Sequence, residues 1–283
     1  MFMGKNDKNA WANKKVFDAD ELDVRIDALI KRYPFVSVVS IGQTTLGRAI
    51  PMISVGKGKK ALLIVGGIAA DESAGSLVLM RFLNEYCESI RTSAKVCGYN
   101  TAYLEHTRCI RIIPMLNADG IGYLNNGIDR EGAVYQYLAR IGKEEPDEKN
   151  WRGNARGIDL KSNFPNTYES SCLGEMEAES GALRNYLMFD REVRLVLTLS
   201  KGDPQVQYTY GEHRLPRLDP LGNALGEMFA AKYKRYDVSG SLGGFCTDEL
   251  TVPSFDIRSN LDGDGFEDYV RLRKLLFVSQ ALI

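Results

Sequence analysis

The stretch Ala61-Leu-Leu-Ile-Val-Gly-Gly-Ile-Ala-Ala-Asp-Glu72 decides the fold. Its first eight residues form an almost unbroken apolar run, which suits a central strand covered on both faces. Gly66 and Gly67 then break the run into a tight turn that ends on two acids, Asp71 and Glu72. Cys109–Leu116 and Arg194–Leu199 read as central strands for the same reason. Val36–Ile41, Ile50–Val55, Gln205–Tyr210 and Ser254–Arg258 are the remaining strand candidates.

Helical periodicity marks Asp18–Tyr33, Ala74–Ile90, Gly132–Ile141, Glu175–Met188, Asp219–Tyr233 and Phe266–Leu282. Asp18 and Asp20 suit the positive end of the first of these, and Pro220 suits the first helical position of the fifth. Strands alternating with helices, some strands being adjacent in sequence, predict an α/β fold with a mixed sheet between helix layers. The polar, glycine-rich region Asn117–Gly174 is long for a compact domain, and loops of that kind are usually functional. No repeat, low-complexity tract or linker divides the chain. One domain over residues 1–283 is expected, with residues 1–15 as a flexible N-terminus.

The 283 residues carry 44% hydrophobic content and a net charge of -1, enough for a sizeable core. Such a charge gives no electrostatic case for nucleic acid or an anionic membrane as partner. No run of about 18 apolar residues is present, so no bilayer span is expected. The polar N-terminus lacks the apolar centre of a secretory signal, which leads to a cytoplasmic expectation. Cys87, Cys97, Cys109, Cys172 and Cys246 form no CxxC pair and read as reduced, structural thiols. The two histidines, His106 and His213, have no ligand partners at suitable spacing and read as surface or hydrogen-bonded residues. Asp262-Gly-Asp264-Gly265 lacks the closing Glu of a calcium loop and reads as a turn.

Five segments in order carry a resemblance. They are Tyr33-Pro34 with Ser40-Ile-Gly-Gln-Thr-Thr-Leu-Gly-Arg48, Ile113-Pro-Met-Leu-Asn-Ala-Asp-Gly120, Asn150-Trp-Arg-Gly-Asn-Ala-Arg-Gly-Ile-Asp-Leu160, Gly243-Gly-Phe245 and Pro253-Ser-Phe-Asp-Ile257. Together the chain resembles the zinc carboxypeptidase family, closest to its bacterial branch of γ-D-glutamyl-diamino acid peptidases, which cut cell-wall stem peptides. The resemblance implies a mixed, mostly parallel sheet of about eight strands sandwiched by helices, with the site in a crevice at the strand ends.

A hydrolytic zinc site needs three protein ligands, a carboxylate base and a cation for the oxyanion. By the resemblance, the first ligand falls on Ala69, the second on Glu72 and the third on Ser200. Only Glu72 is a ligand type. The general base falls on Arg258, which cannot accept a proton from water. The Asn-Arg pair that grips a substrate carboxylate in the family falls on Lys161 and Ser162, and the oxyanion cation on the retained Arg152. Asn163 flanks that pair, and Ser239 falls where the family has a tyrosine. Arg152, Lys161, Ser162, Asn163 and Arg258 are therefore the candidate substrate-binding residues, and no cofactor is expected where the family binds zinc. Arg258 is expected to pair with Glu72 or Asp71 in place of the metal.

The leading reading is a pseudoenzyme that binds a peptide or wall fragment. An active metallopeptidase with an atypical site and a structural or regulatory protein are the alternatives.

Overall fold

A computed structural model describes residues 17–127, 131, 132, 136, 140, 150–164, 175–208, 215–236, 239–260 and 266–283. The N-terminus to residue 15, the helix expected over Gly132–Ile141, and Cys172, His213 and Asp262–Gly265 lie wholly or largely outside these.

The strands are β1 (Ser37–Gln43), β2 (Ala49–Val55), β3 (Ala61–Val65), β4 (Lys95–Val96), β5 (Tyr99–Asn100), β6 (Cys109–Ile113), β7 (Val193–Lys201), β8 (Gln205–Tyr208), β9 (Lys232–Arg235) and β10 (Ser254–Ser259). The helices are α1 (Ala19–Arg32), α2 (Ser73–Arg91), α3 (Thr101–Thr107), α4 (Ala118–Asn126), α5 (Ala178–Phe189), α6 (Leu218–Phe229), α7 (Leu242–Leu250) and α8 (Phe266–Ser279). Eight strands form one mixed sheet in the order β1-β2-β6-β3-β7-β10-β8-β9, and β4 and β5 form a small ribbon apart. From β6 through β3 and β7 to β10 every pairing is parallel, so four carboxyl ends open on one side.

Alternation along these strands separates two cores. Leu62, Ile64, Ile110, Ile112, Leu195 and Leu197 pack on one face, under α1, α2, α6 and α8. Ala61, Leu63, Val65, Ile113 and Val196 pack on the other, under α5 and α7. Each large aliphatic or aromatic side chain withdrawn from water in this way contributes about 1.5–3 kcal/mol. This double coverage is why β3, β6 and β7 appear in the sequence as unbroken apolar runs.

One expected helix is two elements. The helix read over Asp219–Tyr233 stops at Phe229, where Ala230 takes the left-handed conformation at φ 54° and its amide bonds back to Glu227 and Gly226. Lys232–Arg235 then pairs parallel to β8 as the sheet margin. Three helices were not expected. Among them is α3, which carries His106 and leads directly into β6. The other two are α4, which contains Gly120 and Gly122, and α7, which contains Gly243 and Gly244. Among the described residues no helix is long and apolar enough to cross a membrane.

Candidate functional site

Glu72 reaches the sheet end because β3 is followed by two glycines under steric pressure. A Cβ on Gly66 would lie 2.7 Å from the Leu79 side chain and 2.9 Å from the Pro114 carbonyl oxygen. Gly67 adopts φ +57°, and a Cβ there would come within 2.7 Å of Ser76 Oγ. The turn continues into a short 3-10 segment, Ala70–Glu72, that leads into α2. The Ala70 amide donates to the Arg152 carbonyl at 3.1 Å, tying this turn to the segment before Leu160.

Glu72 is 1% exposed, and its carboxylate is fully engaged by protein donors. Oε2 accepts the Ala69 amide at 3.1 Å. Oε1 accepts the Lys201 amide at 3.1 Å and the Lys161 ammonium at 2.5 Å. Burial pushes the Glu72 carboxyl upward, while the Lys161 charge, its hydrogen bond and the Ala69 amide oppose that.

Lys161 comes from a second 3-10 segment, Leu160–Ser162, whose leading Asp159 accepts the Lys161 amide at 2.9 Å. Leu160 and Phe164 anchor this segment in the core. The Lys161 ammonium also donates to Ser200 Oγ at 2.7 Å. Ser200 and Thr198 lie two apart on β7, hence on one face. Both hydroxyls donate to Asp256 Oδ1 on the adjoining β10, at 2.5 and 2.6 Å. The register sets Asp256 beside Thr198 and Arg258 beside Ser200.

These groups border a cavity of about 340 Å³ whose lining includes Arg152, Lys161, Ser162, Ser200, Asp256 and Arg258. Arg152 pairs with Asp71 at 2.9 Å. The Arg258 guanidinium makes no hydrogen bond or ion pair among the described residues, so the expected pairing with Glu72 or Asp71 is not formed. Lys161 and Arg152 have taken those acids. The Arg258 guanidinium instead rests over Gly202, where φ is +147° and a Cβ would stand 2.3 Å from Nη2.

Asn163 serves the framework. It accepts the Glu177 amide at 2.8 Å and donates to the Glu175 carbonyl at 3.4 Å. Ser239 is exposed and lies outside the described lining of the cavity. His106 is exposed on α3 and is not part of that lining either. Cys246 is fully buried, its thiol pushed up to about 12 by burial against a hydrogen bond from Ser254. Sequence reading missed Asp256, Lys201 and Gly202. Alternation along β10 was the available signal for Asp256, since it must share a face with Arg258.

The donor set bears on metal directly. Among the described residues no three His, Cys, Asp or Glu side chains converge to hold an ion. The positions compared with ligands supply a methyl group, a hydroxyl committed to Asp256 and a carboxylate committed to an ammonium and two amides. These residues do not fit zinc as they stand.

Comparison with known proteins agrees with the fold. Residues 23–237 match the profile of the zinc carboxypeptidases. The chain is 29% identical over 165 residues to the uncharacterized protein YqgT of Bacillus subtilis (strain 168), covering 57% of this chain and 44% of that protein. It is 28% identical over 144 residues to the gamma-D-glutamyl-L-diamino acid endopeptidase 1 of Lysinibacillus sphaericus, covering 51% of this chain and 36% of that one. The match thus spans less than half the length of either relative. The solved structure of thrombin activatable fibrinolysis inhibitor superposes with a TM-score of 0.73 at 16% identity, over 94% of this chain and 75% of that chain, a likeness of fold. The strand order, the site at the parallel strands' carboxyl ends and the profile match over most of the chain lead to one assignment: this chain belongs to the zinc carboxypeptidase family.

Proposed function

We propose that this chain is a non-hydrolytic member of its family, a pseudoenzyme that holds a peptide by a free carboxylate in the cavity at the sheet end. The observation that carries the reading is Arg258, a guanidinium with no internal acceptor among the described residues, on the wall of a 340 Å³ cavity. Guanidinium is permanently protonated and offers a planar fork to a carboxylate. It cannot take a proton from water, so the same residue that favours an anionic ligand removes the base needed to cut it. Arg152 stands at the cavity too, although Asp71 shares its charge. The apolar side chains of Ile68, Phe164 and Leu242 give a ligand side chain somewhere to pack.

A relative named for γ-D-glutamyl-diamino acid cleavage makes a cell-wall stem-peptide fragment the first ligand to try. The test is a γ-D-glutamyl-diaminopimelate peptide incubated with the purified chain and zinc chloride. Expected are saturable binding by calorimetry and no new amine by fluorescamine assay. Chelator-sensitive cleavage that disappears in Glu72→Gln would overturn the reading in favour of an atypical peptidase.

A further inference from the structure

We infer that the ε-ammonium of Lys161 is a resident cation that takes the place of a metal ion in this site. The proposal does not depend on peptide binding. It rests on which atoms the ammonium touches.

Glu72 closes the 3-10 segment Ala70–Glu72 beyond β3, and Ser200 lies near the end of β7. Lys161 Nζ meets Glu72 Oε1 at 2.5 Å and Ser200 Oγ at 2.7 Å, bridging two of the three positions where the family resemblance places ligands. A carboxylate 1% exposed needs a compensating charge, and backbone amides supply dipoles only. Lys161 is the only cation in ion-pair contact with it among the described residues. An ammonium has three N–H donors. Two are spent on Glu72 and Ser200, and the side chain, 26% exposed at the cavity wall, leaves the third for an oxygen of a ligand.

The neighbouring residues fit the same reading. At position 69 the site presents a methyl group and, through the backbone, an amide that donates to Glu72 Oε2. A donor there is useful to a carboxylate and useless to a metal. At position 200 the hydroxyl can accept from the ammonium and donate to Asp256 at once, which a metal-bound imidazole could not do. The chain Glu72, Lys161, Ser200, Asp256 is closed donor-to-acceptor with no step missing. A divalent ion could reach Glu72 only by expelling a like-charged group already at hydrogen-bond distance.

Two measurements test this together. The first is thermal unfolding of the wild type, Lys161→Met and Lys161→Met/Glu72→Gln. Breaking a buried ion pair from one side leaves a lone charge, so the single variant is expected to melt roughly 10 °C lower. Neutralising both partners is expected to recover more than half of that loss. A double variant no more stable than the single one, or a single variant that melts like the wild type, would overturn the proposal. If the single variant does not fold, a folded double variant upholds it and an unfolded one overturns it.

The second measurement counts zinc bound per chain after stripping and dialysis against zinc chloride. Ala69→His/Ser200→His with Lys161 retained is expected to bind none at this site. The same pair with Lys161→Met is expected to bind one ion per chain. Equal zinc in both, or none in either, would overturn the idea that the ammonium holds the metal's place. A failure of peptide binding would leave both results untouched, so the two readings can fall separately.

Discussion

Replacing Gly202 by alanine should disable the cavity through Arg258 while leaving every charged residue in place. The added Cβ would lie 2.3 Å from Arg258 Nη2, 2.8 Å from Nε and 2.9 Å from Cζ, all inside van der Waals contact. The guanidinium is the far end of a flexible side chain, so it should swing away from the wall and relieve the clash. The backbone has no such escape. With φ at +147°, an alanine sits in a region reserved for glycine, at a cost of about 1–3 kcal/mol. For a chain of this size that is a fall in Tm of roughly 3–10 °C. Losing a charge-assisted contact to a ligand carboxylate removes about 1.5–3 kcal/mol of binding, or roughly 10- to 150-fold in Kd. Arg258→Ala should lose the same affinity but leave Tm within about 0.5 kcal/mol equivalent, because the guanidinium has no internal acceptor among the described residues. Scanning fluorimetry gives the first quantity. Calorimetry with an N-acetyl dipeptide and its C-terminal amide gives the second, and the amide should bind all variants equally weakly. The reasoning is refuted if Gly202→Ala binds the free acid like the wild type.

Other consequences can be measured with the same preparations. Asn154→Ala removes an amide that donates to Glu177 Oε2 at 2.8 Å and Glu179 Oε2 at 3.2 Å, both buried, so urea unfolding should show a loss of about 2–4 kcal/mol. Glu88 is held at about 2, first by the Arg91 hydrogen bond, so it contributes stability above the unfolded carboxyl range that fades as pH falls toward 2. Glu88→Gln should flatten that acid limb, by about 0.5 kcal/mol given its exposure to solvent, when urea midpoints at pH 5 and pH 2.5 are compared. Of Cys87, Cys97, Cys109 and Cys246, only Cys97 is exposed, so brief iodoacetamide treatment followed by peptide mapping should modify Cys97 and spare the other three until the chain unfolds.

The sequence was most legible where burial is most complete. The strands β3, β6 and β7 are covered on both faces, and their apolar runs leave no competing pattern. The margin was harder. Lys232-Tyr-Lys-Arg235 is polar, and the apolar rhythm of the preceding helix continues into it, so only the left-handed turn at Ala230 separates the two. Glycines concealed α4 and α7. Gly120 sits inside α4 because the Gly153 carbonyl oxygen would lie 2.2 Å from its Cβ, a tertiary constraint that local propensity does not contain. At the site, residue types and ligand-like positions were readable from the resemblance, but partners were not. The distance of Lys161 from Glu72 is set by a 3-10 turn that Asp159 caps, 89 residues along the chain from the acid it meets. The charge reversal at Arg258 drew attention to the wrong cation.

The bridge made by Lys161 also bears on descent. Histidine arriving alone at position 69 or 200 would find an ammonium where a coordinating ion should be, and gains nothing. Losing the lysine first strands a carboxylate in the interior. On the proposed reading, each single substitution toward a metal-binding site therefore carries a cost of its own, and only a concerted change of Lys161 with residues 69 and 200 escapes it.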